Sequence, residues 1–345
     1  MRRQFTKDHP ARILLIGAGG IGQRHIRGYL KTERAVLAIV EPHEARREHA
    51  MGTYRLTNSY ESIEEAPIDE YDAAVICAPA HTHVPLGTRC INSGLPVFIE
   101  KPLSVTMDGV DALRAAAVRT SLPLRIGYVR RASIETQELK RRTLSGEIGE
   151  PKLAYVNTSQ DFRKYRPDYR ETYYAKERMG GGAILDAASH ALDLLLWLFG
   201  SVEQVIAMYD RLVFEEVECE DTVLLLLRFS SGAMAHIAIN QFQKPNIQTF
   251  EVIGTEGNLL LDMADLSIAD DDSGTRRHTN YAEGSDPTDI HENRFAAQAN
   301  LFLDTVEGRD TMLTTLDEAI ENLRVALAAK RSYAEGTLVT LKNLR

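Results

Sequence analysis

The chain has 345 residues, a hydrophobic fraction of 44%, three cysteines and a formal net charge of −9 at pH 7. That length exceeds one ordinary hydrophobic core and predicts two domains, while the negative balance argues against a nucleic acid or an anionic membrane as partner. Cys77, Cys90 and Cys219 are scattered and odd in number. They exclude a disulfide framework and fit reduced thiols in a cytoplasm, and no apolar run reads as a bilayer span.

The start, MRRQFTKDHPAR, is basic but lacks the apolar core of a secretion signal, and reads as a short disordered lead. A buried strand, 13–16, then runs into Gly17-Ala18-Gly19-Gly20-Ile21-Gly22, a G-x-G-x-x-G. Gly17 allows the sharp turn off the strand. Gly19 lets backbone approach a pyrophosphate, and Gly22 lets the next helix pack close to the strand. That helix aims its unpaired N–H groups at the phosphates. The following strand, 36–40, ends in Glu41, nineteen residues past Gly22, near the expected spacing of about 20. A carboxylate there accepts the ribose hydroxyls and repels a 2′-phosphate, so NAD is favoured over NADP. Arg46 and Arg47 are the residues that would rescue NADP binding; a solvated helix face is the preferred reading of them.

Further on, a helix is expected over 42–51 and a short segment around 54–56. A strand at 72–77 leads into Ala78-Pro79-Ala80-His81-Thr82-His83 and a helix to about 93. A strand follows at 97–99, a helix at 106–119 and a last strand at 124–128. Strands alternating with helices at this spacing predict a doubly wound parallel sheet, residues 1–130, with ligands beyond the carboxyl ends of its strands. Gly17, Glu41, Ala78-Pro79 and Glu100-Lys101 all lie at such ends. The pattern changes after 130. A helix at 133–145 and a strand at 152–159 precede Gly180-Gly181-Gly182 and a helix at 184–199. Short strands follow at 202–208, 222–229, 233–240, 249–253 and 258–261. Their tight turns predict an antiparallel sheet in a second, α+β domain, 131–345, whose C-terminal helix could pack back on the first domain. Residues 270–289 read as an exposed acidic loop, and helices at 294–307 and 316–335 close the chain.

Two groups could carry chemistry. Lys101, at a strand end over the crevice, could hydrogen-bond an oxygen being oxidised and stabilise its alkoxide character; a salt-bridged surface lysine is the plain alternative. Asp186 and His190 stand at i and i+4 on one helix. His190 could take the hydroxyl proton as a general base, with Asp186 orienting the ring or binding a substrate hydroxyl. Asp193 could hold the histidine tautomer instead, and a capping Asp with a core His remains the structural alternative. No third ligand accompanies the pair, so no metal is expected.

Together these residues resemble the Gfo/Idh/MocA family of oxidoreductases, named for glucose–fructose oxidoreductase and inositol dehydrogenase. The resemblance spans nearly the whole chain. It rests on the glycine loop, Ala78-Pro79 with His83, Glu100-Lys101-Pro102, Gly180-Gly181-Gly182, Asp186, His190 and Asp193, then Asp221-Thr222 and Phe302-Leu303-Asp304 with Gly308-Arg309. It implies an NAD(P)-dependent dehydrogenase acting on CH–OH groups of a sugar, cyclitol or sugar derivative, with Lys101, His190 and Asp186 as the catalytic triad. Cofactor contacts are implied at Gly17, Gly19, Gly20, Ile21, Gly22, Glu41, Ala78, Pro79, His83, Glu100 and Lys101. Substrate contacts are implied at Lys101, Arg130, Tyr155, Asp186 and His190, with Asp161, Arg163, Tyr165 and Tyr174 as further polyol candidates. Either Arg130 or Arg131 could face the pocket. Where the family often has Asn and Gly, this chain has Ala80 and Ala188. The family's second domain is an open-faced antiparallel sheet used for the substrate wall and for homodimer or homotetramer contacts. Some relatives cleave glycosides by transient oxidation, and others are non-enzymatic sensors expected to lose the lysine or the histidine; both are present here.

Overall fold

The computed structural model describes residues 4–56, 58–269, 276–282 and 286–341. The chain forms two compact units, Met1–Ser133 with Ser285–Ala319, and Ile134–Gly284 with Ile320–Arg345. The expected division at 130/131 allowed a return by the C-terminal helix, but the segment that belongs with the first unit is 285–319, and residues 320–345 stay with the second.

In the first unit the chain runs β1 (Ala11–Ile16), α1 (Gly20–Lys31), β2 (Ala35–Val40), α2 (Glu44–Tyr54), β3 (Asn58–Tyr60), β4 (Ala73–Ile76), α3 (His83–Asn92), β5 (Val97–Ile99), α4 (Val110–Thr120) and β6 (Leu124–Ile126). The strands β1 to β6 are parallel in the order 3-2-1-4-5-6, and the Thr314–Thr315 strand of the returning segment pairs antiparallel to β6. β1 and β4 are almost wholly buried, as strands covered on both faces must be. Register matters for the site. Val40, Ile16, Ile76, Ile99 and Ile126 stand in one row across the sheet. The next residues, Glu41, Gly17, Cys77, Glu100 and Gly127, therefore emerge side by side at the carboxyl edge. The strand order reverses between β1 and β4, the point where such sheets open a crevice.

The returning Pro287–Val306 helix packs along α1. It begins seven residues earlier than the 294 expected, so the acidic loop read at 270–289 ends sooner; residues 270–275 and 283–285 of that loop lie outside the described ones. The basic lead is not a loose tail from residue 4 onward. Phe5 is buried in the core, its N–H donates to Glu307 Oε1 at 2.6 Å, and Arg34 Nη2 reaches the same carboxylate at 3.0 Å. Residues 1–3 lie outside the described ones.

The second unit contains α5 (Ile134–Leu144), β7 (Pro151–Asn157), a short α6 (Phe162–Tyr165), a π-helical stretch Ala183–Ala188 and α7 (Ser189–Phe199). Strands β8 (Val202–Asp210), β9 (Thr222–Phe229), β10 (Met234–Asn240), β11 (Thr249–Gly254), β12 (Asn258–Asp262), β13 (Asp265–Ala269) and β14 (Arg277–Asn280) follow. With the Val339–Thr340 strand they form one sheet, in the order 14-13-12-11-7-10-9-8 and then that strand. It is antiparallel except for one pair: β7 lies parallel to β10, a correction to the wholly antiparallel expectation. β13 and β14 were not expected. All four residues of β14 are exposed, so it carries no alternation of apolar and polar residues to read.

One face of this sheet is packed by α5 and the π-helical stretch. Alternation along β9 sends Val223, Leu225, Leu227 and Phe229 inward and leaves Leu224 and Leu226 exposed. The run Glu177–Phe199 is long and apolar enough for a membrane span by length and composition, contrary to the sequence reading, but it is mostly buried in the unit and its α7 part serves as a core helix.

Candidate active site

In the first unit the glycine loop is built for close approach. Gly17 has φ +97°, a region L side chains avoid, and a Cβ there would lie 2.8 Å from the Cys77 carbonyl carbon. A Cβ at Gly22 would meet the Gly17 carbonyl oxygen at 2.0 Å. By contrast, a Cβ at Gly19 or Gly20 would meet nothing within 4 Å. The first pair is closed by protein and the second opens on free space at the start of α1. The first turn of α1 holds no acidic residue, so its unpaired N–H groups and positive dipole end are left for an anion. This cradle fits the pyrophosphate of a dinucleotide.

Glu41 stands beside it, buried. Its Oε2 accepts the Ala18 N–H at 2.9 Å and its Oε1 accepts the His43 N–H at 3.0 Å. A carboxylate has about four lone-pair sites, so two remain for ribose hydroxyls. Arg47 Nη1 donates to the Glu41 carbonyl oxygen at 2.7 Å, which places a guanidinium beside that strand end; Arg46 is exposed. Pro79 is exposed, Ala78 and Ile21 are half-buried, and Ala80 is buried.

Two expected cofactor contacts turn inward. His83 is buried, with Nδ1 2.8 Å from the Pro102 carbonyl oxygen and Nε2 2.8 Å from the Ala78 carbonyl oxygen. Burial pushes its pKa down. A neutral ring has one N–H, so it donates to one of these two strand-end carbonyls and lies against the other, instead of presenting its ring to a ligand. Glu100 is also buried, its carboxylate bound to His25 and to the Lys101 N–H. Lys101 itself is half-buried, directly after Glu100 at the carboxyl edge. The two arginines differ in burial. Arg131 is buried and its Nη1 donates to Glu318 Oε1 at 2.9 Å, while Arg130 is half-buried.

In the second unit the three glycines make room for protein, not for a ligand. A Cβ at Gly181 would lie 2.2 Å from the Tyr174 carbonyl oxygen, and one at Gly182 2.6 Å from Glu220 Oε2. Glu220, buried, accepts the Ile184 N–H at 2.8 Å on Oε1 and the Ala183 N–H at 2.9 Å on its carbonyl. It thus caps the π-helical stretch. Burial pushes its carboxyl pKa up, opposed by Lys330. Asp186 sits in that π stretch and His190 in the first turn of α7. The wider π turn replaces the plain i, i+4 helical step assumed from sequence, and π-bulges of this kind recur at functional sites. Asp186 and Asp193 are buried.

The sequence reading missed Tyr173. Its hydroxyl donates to Asp186 Oδ1 at 2.9 Å and its side chain is partly exposed. The neighbour chosen from sequence, Tyr174, is fully buried, stacked on Phe162 at 4.4 Å, with its hydroxyl on the Glu220 carbonyl oxygen at 3.2 Å. A pair of adjacent tyrosines carries no signal for which one faces in.

Tyr155 also departs from expectation. It projects from β7 opposite the buried Ala154 and Val156, beside His236 with ring centroids 6.1 Å apart. That is the open face, away from the helices that carry Asp186 and His190. Asp161 is paired with Lys244 Nζ at 3.3 Å. The Tyr165 hydroxyl accepts from Asn246 Nδ2 at 2.7 Å, and the Arg163 guanidinium lies over Phe214 at 5.7 Å.

Residues 11–128 match the model of the oxidoreductase family with an NAD-binding Rossmann fold, and residues 136–260 match the GFO/IDH/MocA C-terminal domain. The chain belongs to the Gfo/Idh/MocA family of oxidoreductases, and its first unit is an NAD-binding Rossmann domain. It is 27% identical to myo-inositol 2-dehydrogenase of Thermotoga maritima, over 96% of this chain and 99% of that one. It is 25% identical to scyllo-inositol 2-dehydrogenase (NAD(+)) of Bacillus subtilis, over 97% of each. Among solved structures it is similar to a probable dehydrogenase from Thermotoga maritima, with TM-score 0.81, 26% identity and coverage of 97% and 100%.

Proposed function

We propose that this protein is an NAD-dependent dehydrogenase that oxidises a secondary hydroxyl of a sugar, cyclitol or related polyol, or reduces the matching ketone. The observation that carries the reading is the placement of Lys101, next to the glycine loop's own strand-end row, on the edge where the dinucleotide cradle opens. The names of the inositol dehydrogenase relatives support the substrate class. NAD, when bound, supplies the hydride acceptor. Lys101 donates a hydrogen bond to the reacting oxygen and stabilises its alkoxide character. His190 accepts the hydroxyl proton, and Asp186, held by the Tyr173 hydroxyl, orients the imidazole or binds a neighbouring hydroxyl. Glu41 selects NAD against a 2′-phosphate, and Arg130, since Arg131 is committed to Glu318, is the arginine for the substrate.

The open face of the second unit's sheet supports a homodimer or homotetramer. Ile206, Leu226 and His236 share one row and Met208 and Leu224 the next, with Ile206, Met208, Leu224 and Leu226 all exposed. A contiguous apolar surface of this kind marks an interface. Three free, buried cysteines support a cytoplasmic setting.

The test is a panel of sugars and cyclitols assayed for NADH formation, with NADP in parallel, on the wild type and on Lys101→Ala and His190→Ala. Both variants should bind NAD and lose turnover. Wild-type rates in either overturn the assignment. A preference for NADP overturns the reading of Glu41, and aglycone release with catalytic NAD replaces the dehydrogenase with a redox-cycling glycosidase.

A further inference from the structure

The turn that carries Lys101 is tied to the dinucleotide helix by a buried histidine that the chemistry above does not use. His25 lies on α1, three residues past Gly22, and is 1% exposed. Its Nε2 is 2.6 Å from Glu100 Oε1. The ring is fixed edge-on against Phe98 at 5.4 Å and Phe295 at 5.1 Å between centroids. Glu100 Oε2 accepts the Lys101 N–H at 2.9 Å. The carboxylate has little freedom, because even a Cβ at Gly127 would lie 3.0 Å from Oε1. Two hydrogen bonds in series thus connect the helix that opens at the glycine loop to the backbone of the lysine.

We propose that His25 is a positioning residue for Lys101, acting through Glu100; the inference rests on the catalytic role of Lys101 argued above. The physical reason is reach. A pyrophosphate seated on the loop is registered to α1, whereas the lysine belongs to β5. Nothing in the covalent chain sets the offset between them, because more than seventy residues intervene. A buried, hydrogen-bonded pair between rigid elements sets it to the fraction of an ångström that a reacting constellation needs. On the far side of the turn the buried His83 ring packs against the Pro102 carbonyl, with Nδ1 at 2.8 Å. A misplacement of about 1 Å costs roughly 10²-fold in rate.

The experiment compares His25→Leu, which keeps volume and removes the hydrogen bond, with His25→Gln, whose amide can still donate to Glu100. Steady-state kinetics are read beside NAD binding by calorimetry and against Lys101→Ala. His25→Leu should lose about 10²-fold in kcat while the NAD Kd and the substrate KM stay close to wild type, and His25→Gln should recover most of the loss. If His25→Leu does not fold, because it strands a buried carboxylate, His25→Leu/Glu100→Gln carries the same prediction with no charge left to bury. Wild-type kcat in the folded Leu variant or in the double variant overturns the inference. So does a Gln variant as slow as the Leu one, or a loss of kcat matched by an equal loss of NAD affinity. Full turnover in Lys101→Ala instead overturns the proposed function, whatever the His25 variants do.

Discussion

Replacing Gly19 with alanine separates cofactor recognition from folding. Gly19 caps α1 with φ −68° and ψ −170°, a conformation open to any residue, and its added Cβ would find nothing within 4 Å. Two small effects then oppose each other. The unfolded chain loses freedom, which stabilises by about 0.4–1 kcal/mol, and alanine is a poorer N-cap than glycine by a similar amount. Gly19→Ala should therefore keep its urea midpoint, with a net change within about 0.5 kcal/mol. The methyl group nevertheless enters the space a pyrophosphate needs. NAD affinity should fall at least about tenfold, or 1.4 kcal/mol, in a calorimetric titration. Gly22→Ala is the control. Its Cβ would sit 2.0 Å from the Gly17 carbonyl oxygen, so loop or helix must move, at about 1–3 kcal/mol of stability. Wild-type NAD affinity in Gly19→Ala would refute the assignment of that open space to the cofactor.

Three further outcomes follow from the packing. Asp221 is fully buried and accepts the N–H groups of Leu212 at 3.0 Å, Val213 at 2.8 Å and Phe214 at 2.6 Å; Asp221→Ala should lower stability by roughly 3 kcal/mol or more, and an unchanged urea midpoint would contradict this. Burial, with the positive charges of Arg24 and Arg294, pushes His291 down to about 4, whereas an unfolded histidine titrates near about 6.5. The unfolded chain binds the extra proton between those values, so the contribution is complete above the upper one and is lost as pH falls toward the lower. Since the ring is partly exposed, the loss is on the order of 1 kcal/mol; His291→Asn should flatten that acid limb in stability measured against pH. Leu226→Lys, on the exposed apolar face, should yield a folded monomer by light scattering, and an unchanged oligomer would place the interface elsewhere.

The Rossmann unit was legible because its signals are local. A glycine loop ends one apolar strand and an acid ends the next, and strands buried on both faces spell themselves as near-continuous apolar runs. The catalytic candidates Lys101, Asp186 and His190 were legible as residue types at strand ends and on a helix. Pairing was harder. The parallel contact of β7 with β10 and the exposed β14 leave no periodic trace, since nothing in an amphipathic strand names its neighbour or its direction.

The failures at the site share one cause. Tyr155, Tyr173, Tyr174, His83 and Glu100 are polar side chains whose role depends on which way they point. Tyr155 was assigned to a pocket and stands on the open face. Tyr174 was named as a candidate and Tyr173 was not, and the two differ only in which one the backbone turns into the aromatic cluster with Phe162 and Phe214. Composition, the alternation of strand and helix, and the glycine spacing determine the Rossmann sheet and the cofactor class from sequence alone, because they act through nearest neighbours along the chain, whereas the return of residues 285–319 to the first unit does not show in them. Whether a buried histidine serves a ligand or braces a loop is decided only in three dimensions, because its partners, Glu100 for His25 and the Ala78 and Pro102 carbonyls for His83, are brought to it by the sheet.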